Sequence, residues 1–250
     1  MGTTGSLRLV QPRWPAAETV RAFTTERTGG VSSGAFESLN LSDGVGDRAA
    51  HVAENRLLLA RYARLPAEPQ WLAQRHGARI VHDDAPPFDR DADGAVTRRS
   101  GRVCAITTAD CLPILLCDRA ATTVGAVHAG WRGLAAGVIE AGLEAMRTDA
   151  AELLAWLGPG IGPDVYEVGE EVRMRMLRAY PDVEHAFRPS RAGHWRADLA
   201  GIAEHVLRRR GVSSITNCGR CTYSEPDAFF SHRRDGVTGR FTTLIWLEAR

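Results

Sequence analysis

The sequence predicts a mixed fold, α+β or α/β, organised as one domain over residues 1–250. Three observations point there. Short β-branched or apolar runs bounded by turn residues recur along the chain, at Val20–Thr25, 103–107, 114–117, 122–127, Ser214–Asn217 and Phe241–Leu247. About four segments with helical apolar spacing are interleaved with them. No Pro/Gly/Ser linker, charge block or internal repeat divides the chain, and 44% hydrophobic content over 250 residues is enough for one large core.

From the N-terminus, residues 1–19 are expected to be a loose segment. Met1-Gly2-Thr3-Thr4-Gly5-Ser6 has the form of an N-myristoylation signal, but no basic cluster follows to give the second membrane signal that stable anchoring needs. No apolar stretch has signal-peptide or membrane-spanning length, so a cytoplasmic protein without a membrane partner is expected. Five cysteines, an odd number, agree with a reducing compartment and argue against a disulfide scaffold. The strand Val20–Thr25 leads into a glycine-rich turn, 26–33, which sets Arg27 beside exposed backbone amides; an ordinary hairpin loop is the alternative. Asp47 is placed to cap a helix over 48–64, with Val52, Leu59 and Tyr62 on one face and a stop before Pro66. The acidic loop 83–93 reads as a solvated turn, since Pro86, Pro87 and the absent D-x-D-x-D-G register exclude a calcium loop. It leads into the short strand Gly94–Thr97.

Strand 103–107 ends at Ala109-Asp110-Cys111-Leu112-Pro113, which places Cys111 in a turn just past a strand end. After strand 114–117, strand 122–127 delivers His128 to the bend Ala129-Gly130-Trp131-Arg132-Gly133, followed by a helix over 134–147. Trp156-Leu157 and Gly158-Pro159-Gly160-Ile161-Gly162-Pro163 form a strand and a glycine-rich loop. The loop lacks Gly-Lys-Ser/Thr and breaks G-x-G-x-x-G, so nucleoside triphosphates and dinucleotides are disfavoured and a wall of a small-molecule pocket remains. Helices are expected over 169–179 and 199–210, the second capped by Asp198, striped by Leu199, Ile202 and Val206, and stopped by Gly211. Cys218-Gly219-Arg220-Cys221 has no second pair and precedes a loop instead of opening a helix, so it reads as structural. Arg233, Arg234 and Arg240 form a cationic turn, either a solvated hairpin or an anion site.

Every one of the 31 basic residues is an arginine, and the formal net charge is +1. Arg208-Arg209-Arg210 ends a helix, where cations suit the dipole, so nucleic acid is not an expected partner. The chemistry concentrates elsewhere. Taken singly, a free cysteine is usually a small buried hydrophobe and a histidine a hydrogen-bonded bystander. Cys111, His128 and the upstream His76, in Gln74-Arg75-His76-Gly77, nonetheless all sit at strand ends, flanked by Asp110, Trp131, Arg132 and turn glycines. They are the right ligand types for zinc, and their wide spacing suits a catalytic site with an open position, not a closed local knuckle. Metal ligation and nucleophilic attack are rival roles for Cys111. A bound metal would lower the pKa of water or polarise substrate; otherwise Cys111 and a histidine could form a thiolate–imidazolium pair for amide hydrolysis.

The turns around His76, Cys111 and His128, together with Arg27-Thr28-Gly29-Gly30-Val31-Ser32, Ser38-Leu39-Asn40-Leu41 and Phe229-Phe230-Ser231-His232-Arg233-Arg234-Asp235-Gly236, resemble the YfiH family over residues 21–247. Its members are called multicopper polyphenol oxidase (laccase), peptidoglycan editing factor and purine nucleoside phosphorylase. The resemblance implies an α/β/β/α layered fold, with mixed sheets in a sandwich flanked by helices. It also implies a zinc-dependent purine nucleoside phosphorylase acting on adenosine, inosine and methylthioadenosine, with adenosine deamination as a side activity. His76, Cys111 and His128 would hold the metal, zinc or else copper. Arg27 and Asn40 would line the cleft, Asn40 or Asp110 would orient sugar or base, and Arg27, Arg132, Arg233 and Arg240 would bind substrate and phosphate. The chain departs from many relatives in having Gly44 where they have a histidine. Three alternatives stand beside this: a Cys-His hydrolase editing peptidoglycan precursors, a copper polyphenol oxidase, and a non-enzymatic zinc-stabilised interaction protein. The oxidase fits least, because the sequence has no His-x-His pair for a trinuclear centre.

Overall fold

The computed structural model describes residues 6–82 and 89–249; most of the myristoylation pattern (1–5) and part of the acidic loop (83–88) lie outside the described residues. In chain order the elements are β1 (Leu9–Val10), β2 (Val20–Thr25), α1 (Ala49–Tyr62), β3 (Gln70–Trp71), β4 (Ile80–His82), β5 (Gly94–Thr97), β6 (Val103–Thr108), β7 (Leu112–Asp118) and β8 (Val124–Ala129). They continue with α2 (Trp131–Ala135), α3 (Val138–Met146), β9 (Leu153–Leu157), β10 (Glu167–Gly169), α4 (Glu170–Ala179), β11 (Phe187–Pro189) and β12 (His194–Ala197). The last are α5 (Leu199–Arg209), β13 (Ser214–Asn217), α6 (His232–Asp235) and β14 (Phe241–Leu247). The strands form a five-stranded sheet ordered β1-β2-β14-β6-β3, a six-stranded sheet ordered β13-β9-β7-β8-β5-β4, and a small sheet ordered β10-β12-β11.

Alternation along the central strands builds the layers, because successive side chains point to opposite faces. In β6, Cys104 and Ile106 pack with Ile245 and Leu247 of β14 against Leu115, Cys117 and Trp156 of the six-stranded sheet, so the two large sheets meet face to face. Their neighbours Val103, Ala105, Leu244 and Trp246 point outward to Leu59 of α1 and to Leu39 and Leu41 of the loop before it. On the far side, Ile114 and Leu116 of β7 meet Leu134, Ile139, Met176 and Ile202 from α2 to α5. The result is helix, sheet, sheet, helix, as the resemblance implies. Burial on both faces explains why β7 reads as an unbroken apolar run instead of an alternating one.

Several elements differ from expectation. Within the segment expected to be loose, Leu9 and Val10 pair with Thr25 and Thr24, and Leu7 is buried. The cap of α1 is Arg48, not Asp47. Asp47 instead accepts from the Ser32 hydroxyl at 2.6 Å, Asn40 Nδ2 at 2.9 Å and the Arg48 amide at 2.7 Å. Tyr62 is 52% exposed, and its expected place on the buried face goes to Asn55, whose amide holds Val31, Ser32 and Asn40. The helix expected over 134–147 begins earlier and breaks in two at Gly137, whose φ of +84° is left-handed backbone that costs glycine little. His128 lies inside β8, not in the bend after it.

Candidate active site

Three segments bring the site together. Pairing of β7 with β8 puts Pro113 opposite His128, so Cys111, just before β7, stands beside the end of β8. The loop between β3 and β4 supplies His76 in a left-handed conformation, φ +61°. The potential ligand atoms of His76, Cys111 and His128 all lie within 4.8 Å of one another, and the two imidazole rings meet edge to face at 4.7 Å. His128 is buried, Cys111 partly so, and His76 exposed, which grades the site from floor to rim.

Asp93 organises this cluster, and the reading of residues 83–93 as a solvated turn is wrong for it: the side chain is buried, 1% exposed. Pairing of Gly94 with Val127 sets Asp93 next to His128. Its carboxylate lies 2.8 Å from His128 Nδ1 and accepts the backbone N–H groups of Arg75, His76 and Gly77 at 3.2, 2.8 and 2.7 Å. One side chain thus fixes both histidines. Burial alone would raise the Asp93 pKa, but His128 and the amides of Gly77 and His76 hold it below the usual carboxylate value. An ionised carboxylate only accepts, so His128 Nδ1 carries the proton and Nε2 is left for the centre. Gln74 clamps the same loop to β6 by a two-way amide pairing with Thr107, at 2.9 and 2.8 Å.

Gly130 makes the space. A Cβ there would stand 2.7 Å from Cys111 Sγ and 3.3 Å from the His76 ring. Burial would push the Cys111 thiol up, but His128 and then His76 bring it well below its ordinary value. His128 moves the opposite way: burial would lower it, and the Cys111 and Asp93 charges raise it. The two imidazoles around Cys111 thus favour its thiolate form.

The other expected site residues fall into distinct groups. Burial lowers the Arg240 pKa against the charges of Cys111 and Asp110, and its NH1 donates to the carbonyls of Thr238 and Gly239 at 2.9 Å each. Arg233 lies over the Tyr166 ring at 5.0 Å and donates to the Glu167 carbonyl. Arg132 lies over Trp131 at 4.5 Å. Tyr166, unremarked in the sequence, is surrounded by the charges of Cys111, Arg233, Asp110 and Arg132, and burial followed by Cys111 holds its phenol protonated far above neutrality. Among the described residues, none of Arg132, Arg233 and Arg240 is ion-paired with a carboxylate. Asn40, by contrast, is fully buried: Nδ2 donates to Ser42 and Asp47, and Oδ1 accepts the amides of Ser42 and Arg240. Arg27 donates to the carbonyls of Glu37 and Pro226, lies over Phe230, and lines a separate cleft with Arg8, Thr28 and Asp227. The glycine loop bounds a cavity of about 300 Å³ with Asn217, Arg220 and Cys221, whose sulfur accepts the Gly162 amide at 3.2 Å.

Two imidazoles and a thiolate around a glycine-made space fit one tetrahedral ion with a position left for a non-protein ligand. Among the described residues this is the one such group of three, so the donors of a trinuclear copper centre are not there. Fold and centre together define a class: a sheet-on-sheet sandwich between helices, with a His-Cys-His site at strand ends. Residues 21–248 match the family model described as multi-copper polyphenol oxidoreductase laccase, and the chain belongs to that family. It is 46% identical to purine nucleoside phosphorylase PA4543 of Pseudomonas aeruginosa, over 95% of this chain and 97% of that one. It is 43% identical to purine nucleoside phosphorylase YfiH of Escherichia coli, over 96% and 99%. The crystal structure of Neisseria meningitidis protein NMB0706 superposes with a TM-score of 0.92 at 42% identity, covering 96% of this chain and 99% of that chain.

Proposed function

We propose that the chain catalyses phosphorolysis of purine nucleosides at the Cys111 cleft, with adenosine, inosine and methylthioadenosine as substrates, zinc as the resident metal and adenosine deamination as a side activity. The observation that carries this reading is Arg240, a partly buried cation that makes no salt bridge among the described residues and feels the charges of Cys111 and Asp110. Burial without a salt bridge disfavours the cation, and a bound anion would offset that cost. Arg233 and Arg132 add forks suited to phosphate oxygens, and the relatives named above bear the phosphorylase name over nearly their full length.

His76, Cys111 and His128 would hold the zinc, which when bound supplies Lewis-acid polarisation of substrate or water. The arginines hold phosphate in line with the anomeric carbon, which accounts for much of the work in a displacement of this kind. A phosphate oxygen bonds to C1′ as the C1′–N9 bond breaks; its electron pair leaves with the purine, which takes up a proton. The Tyr166 phenol, held protonated among Cys111, Arg233 and Asp110, would donate that proton. Inosine and phosphate thus give hypoxanthine and ribose 1-phosphate. Purified protein should release hypoxanthine with equimolar ribose 1-phosphate and stop when phosphate is withheld. Release at the same rate in phosphate-free buffer, yielding free ribose, would replace the phosphorylase by a hydrolase.

A second reading, a Cys-His hydrolase acting on peptide-like precursors, is favoured by the closeness of Cys111 to His128, which lowers the thiol and raises the imidazole. Elemental analysis separates the two, since a nucleophilic cysteine needs the metal absent.

A further inference from the structure

We infer that Asp110 is a positioning residue that sets Arg233 against Cys111 and does not itself orient sugar or base. The geometry makes it a hub of four segments. Its carbonyl accepts the Ile161 amide of the glycine loop at 2.9 Å. Its Oδ1 accepts the buried Thr222 hydroxyl at 2.7 Å, and its Oδ2 accepts the backbone amide of Arg233 at 2.6 Å. Cys111 follows directly in sequence. Both carboxylate oxygens are therefore engaged inside the protein, and the residue is only 8% exposed.

The backbone adds an independent sign. Asp110 has φ of +97°, a region that L-residues rarely occupy and that persists only where the surroundings over-determine it. Glycine would adopt this conformation freely, so an aspartate there is explained by what its carboxylate holds. That carboxylate fixes the main chain of Arg233, while the guanidinium is tied at its far end by the Glu167 carbonyl and the Tyr166 ring. Asn40 serves Arg240 in the same way, through the Arg240 amide at 2.9 Å. Each of the two candidates for substrate orientation thus braces the main chain of one arginine of the proposed phosphate site.

The assay rests on the phosphorolysis reading, so it needs a readout that survives its failure. Asp110→Gly relieves the backbone and removes both side-chain bonds; Thr222→Val removes one at constant shape, and Thr222→Ser restores it. Kinetics with inosine should show the phosphate KM of Asp110→Gly raised about 10–100-fold, the scale of lost charge-assisted bonds, with the inosine KM within about threefold. Zinc content should stay at the wild-type level. Thr222→Val should follow with a smaller rise, and Thr222→Ser should match wild type. A fall in kcat with both KM values unchanged would make Asp110 a participant in the chemistry and overturn the inference. Calorimetric titration with inorganic phosphate alone is the second readout. If wild type turns out to be phosphate-independent, the phosphorylase reading fails, while weaker phosphate binding by Thr222→Val than by Thr222→Ser still supports the brace. Equal binding by those two variants, or no phosphate binding by wild type, overturns it, and this pair also decides the matter should Asp110→Gly fail to fold.

Discussion

His128 shows how little of a functional residue is its own side chain. Its position comes from β8, its tautomer from Asp93, and its neighbour's ionisation from the charge it carries. Removing a ligand and removing its support should therefore differ in degree. Zinc is expected to co-purify with wild type, and Cys111→Ala, His76→Ala and His128→Ala should each lose most of it. Asp93→Asn, which keeps the shape but turns one acceptor into a donor, should weaken zinc binding about 10–100-fold. Competition with a chelator of known affinity measures both, and wild-type occupancy in all three ligand variants would retire the metal site. Gly130 gives a purely steric counterpart. Its φ of −74° suits any residue, so Gly130→Ala adds no backbone strain, and the added methyl simply meets Cys111 Sγ. It should lower zinc occupancy and cost about 1–3 kcal/mol of stability by overpacking, read from denaturant unfolding.

At the scale of elements, the site depends on loops that are pinned by buried polar side chains. Asp47 and Asn55 hold the segment from Val31 to Asn40, and Asn40 in turn holds Arg240. Burial alone would raise the Asp47 pKa, but the hydrogen bonds from Ser32, Asn40 and Arg48 depress it. A carboxylate depressed in the folded state stabilises above its ordinary value and loses that contribution as pH falls through the folded value. Asp47→Asn should therefore cost about 1–3 kcal/mol at neutral pH, and the gap to wild type should narrow below the ordinary aspartate pKa of 3.8. Urea unfolding of both proteins across that range tests it; a gap that stays constant would assign the loss to shape alone.

For the whole molecule, the large apolar layers lie between sheets and helices, and the three candidate ligands are not part of them. Chelation should leave the far-UV spectrum and a single cooperative thermal transition in place, with the midpoint lowered because the ion binds only the folded chain. Unfolding on chelation would favour the zinc-stabilised interaction protein over the enzyme. No helix among the described residues is long and apolar enough to cross a membrane.

The sequence by itself determined the elements whose signal is local. Strands β2, β13 and β14 lie where β-branched runs end in turns, and α5 lies where Asp198, a 3-to-4 apolar stripe and Gly211 place it. It also marked Cys111, His76 and His128, because thiol and imidazole stand out beside turn glycines. Only the tertiary structure decided the rest, since the remaining signals depend on distant partners. Asp93 resembles every other aspartate of an acidic loop until β5 pairs with β8 and buries it against His128. Asn40 and Asp110 carry no sequence sign of the partners that hold their polar atoms, among them Asp47, Thr222 and the amides of Arg240 and Arg233. Tyr166 and Gly130 carry no local mark, because a side chain facing a site and the absence of one look like ordinary core and turn. A hydrogen bond across 35 residues, as between Asp93 and His128, or across 123, as between Asp110 and Arg233, is fixed by sheet order and packing, which no short stretch of sequence encodes.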